Sequence, residues 1–489
     1  MDFPNSRFLF GFCKGESIRK TASMGLVLAV FLLGGCTTYH PMPITSRAVD
    51  TKLQPPGMDE LRVLAGKIKH PILHPVKLES DKGLSPDGAA VLAVILNPSL
   101  RSIRDQRALS SAQLLDAGLL PDPEFTYSLD MPTGGNTAGR VNAYGLGLNW
   151  EVSAFISRSA KIHEAKTHQA AIDLDIAWQE WQVAQAAKSA VYQLACLKEQ
   201  VLLAENGSRH MAENLKHVQE AVADGSMTSP TLTAARSASR RTDEKLLDLK
   251  KQADQQRLLL KRLMGLPIDS PVRLSHDIHL PSQVELPAGK ALFEGLEQRR
   301  LDLLALRRGY GSQEAAVRAA VLEQFPRIGI GPTISRDTDN VRTTGFGLNI
   351  VLPIFNRNQG KIAQERATRQ ELFDEYVNRV FEARSDIERI ITGIHYTNEQ
   401  IAAALKTKTV LGKRVENYRT ALADGRIDAL IYYAVWNDFL STQIKASALK
   451  GKLARAVVAL QLASGLYEIP KPCRSPATTP MMPKKESTP

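Results

Sequence analysis

The chain is poor in cysteine and in long apolar runs. Four cysteines occur in 489 residues, and none stands in a CxxC pair or a metal-type spacing. That argues against a cysteine-ligated metal centre. Past the N-terminal segment no stretch approaches the roughly 18 unbroken apolar residues that a membrane-spanning helix needs. If the chain crosses a membrane, strands that pair their backbone groups with one another must do it. Catalytic patterns are missing as well. There is no Ser-His-Asp arrangement and no carboxylate pair at an interpretable spacing. Gly145-Leu146-Gly147 and Gly329-Ile330-Gly331 lack the third glycine and the Lys-Ser/Thr of a phosphate loop. His276-Asp277-Ile278-His279 has no evident third ligand. His163 and His168 are five apart and do not share a helix face. No enzyme, cofactor or bound metal is expected.

The net charge is +11 and the pI about 9.4. Lys and Arg alternate with Asp and Glu along the helical stretches, so the excess belongs to solvated helix faces. No nucleic-acid partner is expected.

What is present begins at the N-terminus. Arg19 and Lys20 precede the apolar run Met24–Leu33, closed by Gly34-Gly35-Cys36. A short apolar core after positive charge, ending in small residues, is a secretory signal. Leu33-Gly34-Gly35-Cys36 resembles a bacterial lipoprotein cleavage site. The resemblance implies that Cys36 becomes the acylated N-terminus and that Thr37, in place of Asp, directs the protein to the outer membrane. Cys13 would be discarded with the signal. Whether Cys196 and Cys473 pair is left open.

Internal repetition organises the rest, and repeats are the first thing to seek in a long chain. Ala223-Asp224-Gly225 recurs 200 positions later as Ala423-Asp424-Gly425, and Gly147-Leu148-Asn149 as Gly347-Leu348-Asn349. Phe155 matches Phe355, Lys161 matches Lys361, and Gly265-Leu266 matches Gly465-Leu466. Upstream, Pro123 matches Pro326. The segments read as a signal (1–35), an extended tether (36–85), a first repeat (86–266), a connector (267–287), a second repeat (288–467) and a Pro-rich tail (468–489).

Each repeat opens with a helical stretch, 86–118 or 288–323. Two alternating runs follow. Phe125, Tyr127, Leu129 and Met131 alternate with polar residues; Tyr144, Leu146, Leu148, Trp150 and Val152 alternate with Gly, Asn and Glu. In the second repeat the apolar series are Ile328, Ile330 and Ile334, then Phe346, Leu348, Ile350 and Leu352. Period two is a strand with two unlike faces. Runs of about nine or ten residues match a tilted membrane strand. The apolar face (Phe125, Tyr127, Leu129, Leu146, Leu148, Trp150, Ile328, Ile330, Leu348, Ile350) is assigned to lipid and the polar face to water. After the strands, 156–223 and 361–423 hold no proline. Helices of some 65 residues extend about 100 Å at 1.5 Å per residue. Shorter helices return over 229–264 and 428–464.

Four strands cannot close a membrane barrel, because the smallest have about eight. Three copies supply twelve. Here the chain resembles a TolC-like outer membrane factor. The resemblance rests on Asn97-Pro98-Ser99-Leu100-Arg101, Ala117-Gly118-Leu119-Leu120-Pro121-Asp122-Pro123, Leu352-Pro353-Ile354-Phe355-Asn356-Arg357-Asn358-Gln359-Gly360 and the two Ala-Asp-Gly turns. The Leu352–Gly360 segment is nearest the cobalt-zinc-cadmium branch. The resemblance implies a mainly α fold with a small β part: a homotrimer with a 12-stranded outer-membrane β-barrel continuous with a periplasmic α-helical tunnel. It also implies a periplasmic adaptor and an inner-membrane pump as partners, with outer-membrane lipid around the barrel. The function implied is passive conduction of a substrate, heavy-metal cations among the possibilities. Other readings are a duct for multidrug efflux or type I secretion, and a structural or adhesive envelope lipoprotein.

By the same resemblance, Asp224 and Asp424 sit at the tunnel mouth, where a carboxylate ring favours cations. Arg426 is expected to pair with Asp224 or Asp428 and hold the mouth shut. Leu422 stands where the family's Tyr–Arg lock has a tyrosine.

Overall fold

A computed structural model describes residues 38–78 and 82–469. It divides into two compact units, joined at Gln54–Pro55. Among its described residues the first holds one short helix, α1 (Ser46–Leu53), capped by the Thr45 hydroxyl, which accepts from the Ala48 N–H at 3.2 Å.

The second unit is mainly helical with one small sheet. Its elements are α2 (Met58–Gly66), α3 (Pro86–Leu96), α4 (Pro98–Gly118), β1 (Glu124–Asp130), β2 (Ala143–Glu151), α5 (Ala154–Ala223) and α6 (Ser229–Leu263). Then come α7 (Gly289–Phe293), α8 (Leu296–Arg299), α9 (Leu301–Leu322), β3 (Arg327–Arg336), β4 (Arg342–Val351), α10 (Gln359–Ala423) and α11 (Ala429–Ser464).

The expected helical stretches 86–118 and 288–323 are present, each divided into more than one helix. At the first break, Pro98 has no N–H to continue the ladder. Asn97 caps the new helix instead, accepting from Ser99 N at 2.9 Å while its amide donates to Leu263 O at 2.8 Å. At the second break, Gly295 takes φ 69°, a left-handed conformation that suits glycine, and the Arg300 position turns the chain again. β1 stops at Asp130 and β2 at Glu151, so Met131 and Val152 fall outside the strands.

The long helices run uninterrupted because they lack proline and because each lies on several neighbours. α5 packs against α3, α4, α6, α9 and α11, and α10 packs against α9 and α11. The core is therefore a series of seams. One seam holds Met211, Leu249, Tyr432, Tyr433, Trp436 and Leu440. Another holds Ile387, Ile394, Ile401, Leu453 and Leu460. A third gathers Leu100, Trp178, Trp181 and Leu301. Small residues set the closest crossings. A Cβ on Gly451 would come within 2.6 Å of Cys196 Sγ, and one on Gly207 would meet Leu440 and Trp436.

His70 pins the segment after α2 to α5. Its Nε2 donates to Ala177 O (2.9 Å), and its Nδ1 accepts from the N–H groups of Ile72 and Leu73 (both 3.1 Å). Both ring nitrogens are used in the neutral form. Burial, chiefly, pushes its pKa below the usual histidine range.

Candidate channel wall and mouth

The four strands form one antiparallel sheet in the order β1-β2-β3-β4, so both repeats contribute to it. Its register sorts the side chains. Phe125 faces Leu148, Tyr127 faces Leu146 and Leu129 faces Tyr144. Trp150 pairs with Ile330 and Leu146 with Ile334. Ile328 pairs with Ile350 and Ile330 with Leu348. Paired residues share a face, as do alternate residues of a strand. All ten residues of the expected apolar face therefore lie on one side. The other side carries Thr126 opposite Gly147, Ser128 opposite Gly145, Gly331 opposite Gly347 and Thr333 opposite Gly345. Among the described residues no helix covers Phe125 or Phe346 on the apolar side, which are 66% and 70% exposed.

Aromatic and aliphatic side chains ring the base of the sheet. The Trp150 indole donates to Pro121 O at 2.9 Å and meets Phe155 edge-on at 5.6 Å. Phe355, the repeat partner of Phe155, is 93% exposed. At the opposite end the two hairpin loops are tied together. Val141 N donates to Thr338 O at 3.0 Å, and Arg140 forms an ion pair with Asp339.

Below the sheet, α5 and α10 start with matched lysines. Lys161 pairs with Glu323 at 2.6 Å and Lys361 with Glu365 at 2.7 Å. Both pairs line a cavity of about 610 Å³ together with Glu164. Burial, and then the neighbouring Glu365 charge, hold the Glu164 carboxyl above its usual pKa.

The mouth candidates lie at the far ends of α5 and α10. Asp224 and Asp424 are the residues at which these helices stop, each followed by a glycine with positive φ (Gly225 82°, Gly425 69°). Glycine there allows the reversal at little steric cost. The two turns differ chemically. Asp224 Oδ1 accepts from the Ser226 hydroxyl (2.6 Å) and from Ser226 N (3.0 Å), which lowers its pKa. Asp424 is instead ion-paired with Arg426. This corrects the expected partners of Arg426. Asp428 is occupied as the cap of α11, accepting from Leu430 N at 3.0 Å. Asp224 lies in the other turn.

A cluster near the mouth escaped the sequence reading. His210 of α5 bonds Tyr432 Oη of α11 at 2.9 Å and stacks on Trp436 with centroids 5.3 Å apart. Tyr433 Oη donates to Asn214 Oδ1 at 2.6 Å. Burial pushes the Tyr433 phenol up to about 12. The available signal was the spacing Tyr432, Tyr433, Trp436 on one helix face. Cys36 and Cys473 lie outside the described residues. Cys196 is buried and free. Among the described residues no group of His, Cys, Asp and Glu is placed to hold a metal, and no helix is long and apolar enough to cross a membrane.

Residues 292–466 match the family model "Outer membrane efflux protein". The chain is 24% identical over 319 residues to the pyoverdine export outer membrane protein OpmQ of Pseudomonas aeruginosa, covering 61% of this chain and 67% of that one. It is 23% identical over 299 residues to the cobalt-zinc-cadmium resistance protein CzcC of Cupriavidus metallidurans, covering 61% and 70%. In fold it is similar to CusC (TM-score 0.64, 17% identity, 82% of this chain and 99% of that one). VceC of Vibrio cholerae is also similar (TM-score 0.66, 17% identity, 78% and 97%). The matched family description and the names of these relatives are those of outer-membrane export and resistance proteins.

Proposed function

We propose that three copies close one 12-stranded barrel and that substrate passes through it, and on through the helical tunnel, without chemical change. The observation that carries this reading is the sheet. It has one apolar and one polar face, and β1 and β4 each leave an edge unpaired. An open edge in lipid costs several kcal/mol per unpaired backbone group, so β4 of one copy joins β1 of the next. The helices support the same join. β1 follows α4 and β4 leads into α10, and both helices carry exposed apolar side chains: Leu109 and Leu115 on α4, Phe373, Val377 and Phe381 on α10.

Cys36 is read as the lipidated N-terminus, tethering the trimer to the outer membrane. The repeats 86–266 and 288–467 are read as a duplication, each supplying two strands and one long helix. The names of the relatives divide between pyoverdine export and heavy-metal resistance. Heavy-metal cations are one candidate cargo, and the pump partner makes the choice. The test is mass measurement in mild detergent with planar-bilayer conductance. Three chains and a stable open conductance are expected; a folded monomer without conductance overturns the reading.

A further inference from the structure

A trough of about 1070 Å³ lies where α5, α11, the connector and the end of the described chain meet. Lys188 stands some 34 residues beyond the start of α5, so the trough is about 50 Å along that helix from the sheet. The walls mix apolar side chains with polar groups that none of the described residues satisfies. Gln461 of α11 lines it and is 8% exposed, and its carboxamide oxygen is buried with no hydrogen-bond partner. A buried acceptor left unpaired costs free energy that no intrachain bond returns. The Tyr192 phenol makes no hydrogen bond among the described residues.

The connector adds main-chain groups. Val284 spends both of its own on Asn398: its N–H donates to Oδ1 (3.1 Å), and its carbonyl accepts from Nδ2 (2.8 Å). The backbone groups of Gln283 and Glu285, on either side, make no hydrogen bond among the described residues. They border the same trough. Free main-chain donors and acceptors beside a channel of this kind are what an added strand uses.

Charge narrows the occupant. The Lys188 ammonium is neutralised by Asp87 at 2.8 Å and lies over the Tyr467 ring, 5.2 Å from its centroid. Glu285 and Glu468, also at the trough, are in no ion pair among the described residues. Among the described residues these two carboxylates at the trough are left without a paired cation.

We propose that this trough docks an extended, basic peptide segment of a partner protein. One N–H of the peptide donates to the Gln461 carboxamide oxygen. Its backbone pairs with Gln283 and Glu285, and its Lys or Arg side chain meets the Glu285 and Glu468 carboxylates. The site is built within a single chain and is independent of the channel reading.

The test uses the full chain in mild detergent and a fluorescein-labelled, N-acetylated pentapeptide of alternating valine and lysine. A valine–glutamate counterpart is the control, and fluorescence anisotropy is the readout. Saturable binding of the lysine peptide is expected, with the glutamate peptide weaker by about tenfold or more. Gln461→Leu should weaken binding about fivefold while raising the thermal midpoint, since leucine removes the unpaired acceptor. A glutamine with only a structural role would give the opposite change in midpoint. Glu285→Gln combined with Glu468→Gln should weaken binding about fivefold with the midpoint unchanged. If Gln461→Leu does not fold, this rim variant decides the matter. Equal binding of the two peptides, or unchanged binding by the folded variants, overturns the proposal.

Discussion

Tyr432 Oη and His210 Nε2 lie 2.9 Å apart and join the second return helix to the first long helix. Trp436 stacks on the same imidazole, and Tyr433 reaches Asn214 from the next position. The contact links the two repeats. Tyr432→Phe keeps the packing and loses the hydrogen bond. It should cost about 1 kcal/mol, read from denaturant unfolding. No loss of stability would mean that the ring packing alone joins these helices.

His70 should make stability depend on pH. Unfolded, its imidazole takes up a proton near pH 6.5. Folded, it does so at lower pH, mainly because of burial, with Arg104 acting the same way; the Ala177 bond and Glu180 oppose the shift. Between the two values the unfolded chain binds more protons, so stability present above about pH 6.5 is lost as pH falls. The thermal midpoint should drop from pH 7.5 to pH 5.5. In His70→Gln this drop should shrink, with a lower midpoint at pH 7.5. An identical pH profile in both proteins would exclude His70 as the cause.

The two faces of the sheet should respond differently to charge. Leu148 belongs to the apolar face and Asn149, the next residue, to the polar one. Leu148→Arg should cost roughly 2–4 kcal/mol if the face meets lipid near the bilayer midplane. Asn149→Arg should be far milder. Folding into phospholipid vesicles, titrated with denaturant, measures both; equal damage would remove the two-faced membrane strand.

In the two turns proposed as the mouth, Asp424 already has a cation beside it whereas Asp224 has only Ser226. Asp224→Asn should therefore lower cation preference more than Asp424→Asn. Arg426→Ala frees Asp424 and should raise the preference. Planar-bilayer reversal potentials at low salt are the measurement, because near physiological strength screening acts over about 8 Å. Equal effects of the two Asn variants would show that Arg426 does not neutralise Asp424 in the open channel.

Two glycines within helices should behave oppositely. Gly451→Ala puts a Cβ against Cys196 Sγ and should cost about 1–3 kcal/mol through overpacking. Gly393 in α10 has nothing within 4 Å of a built Cβ. Gly393→Ala should stabilise by up to about 1 kcal/mol through helix propensity. Thermal midpoints of the two variants check the pair.

Much of the fold was legible because its signals are local and periodic. Alternation in 124–131 and 144–152 and the absence of proline in the long helices predict elements that the structure contains, with strand ends shifted by one residue. The breaks at Pro98 and Gly295 were also written in the residues, but a proline is compatible with either a kink or a new start. The partner of Arg426 was not legible, since Asp224, Asp424 and Asp428 are all near in sequence or in repeat position. The His210 cluster depends on residues 222 positions apart. The trough is built from the connector and two helix faces, and no periodicity marks such a meeting.

The sheet order has a consequence for how the chain acquires its shape. β2 and β3 are adjacent strands, yet α5 to α9 lie between them in sequence. Closing so long a loop carries an entropic cost before any strand pairing offsets it, whereas helices form from local contacts in microseconds. The helical pairs are therefore expected to assemble first and bring the two hairpins together. A chain halted before Arg327 would carry one hairpin with no neighbouring strand. Membrane insertion has to wait for nearly three-quarters of the polypeptide to arrive.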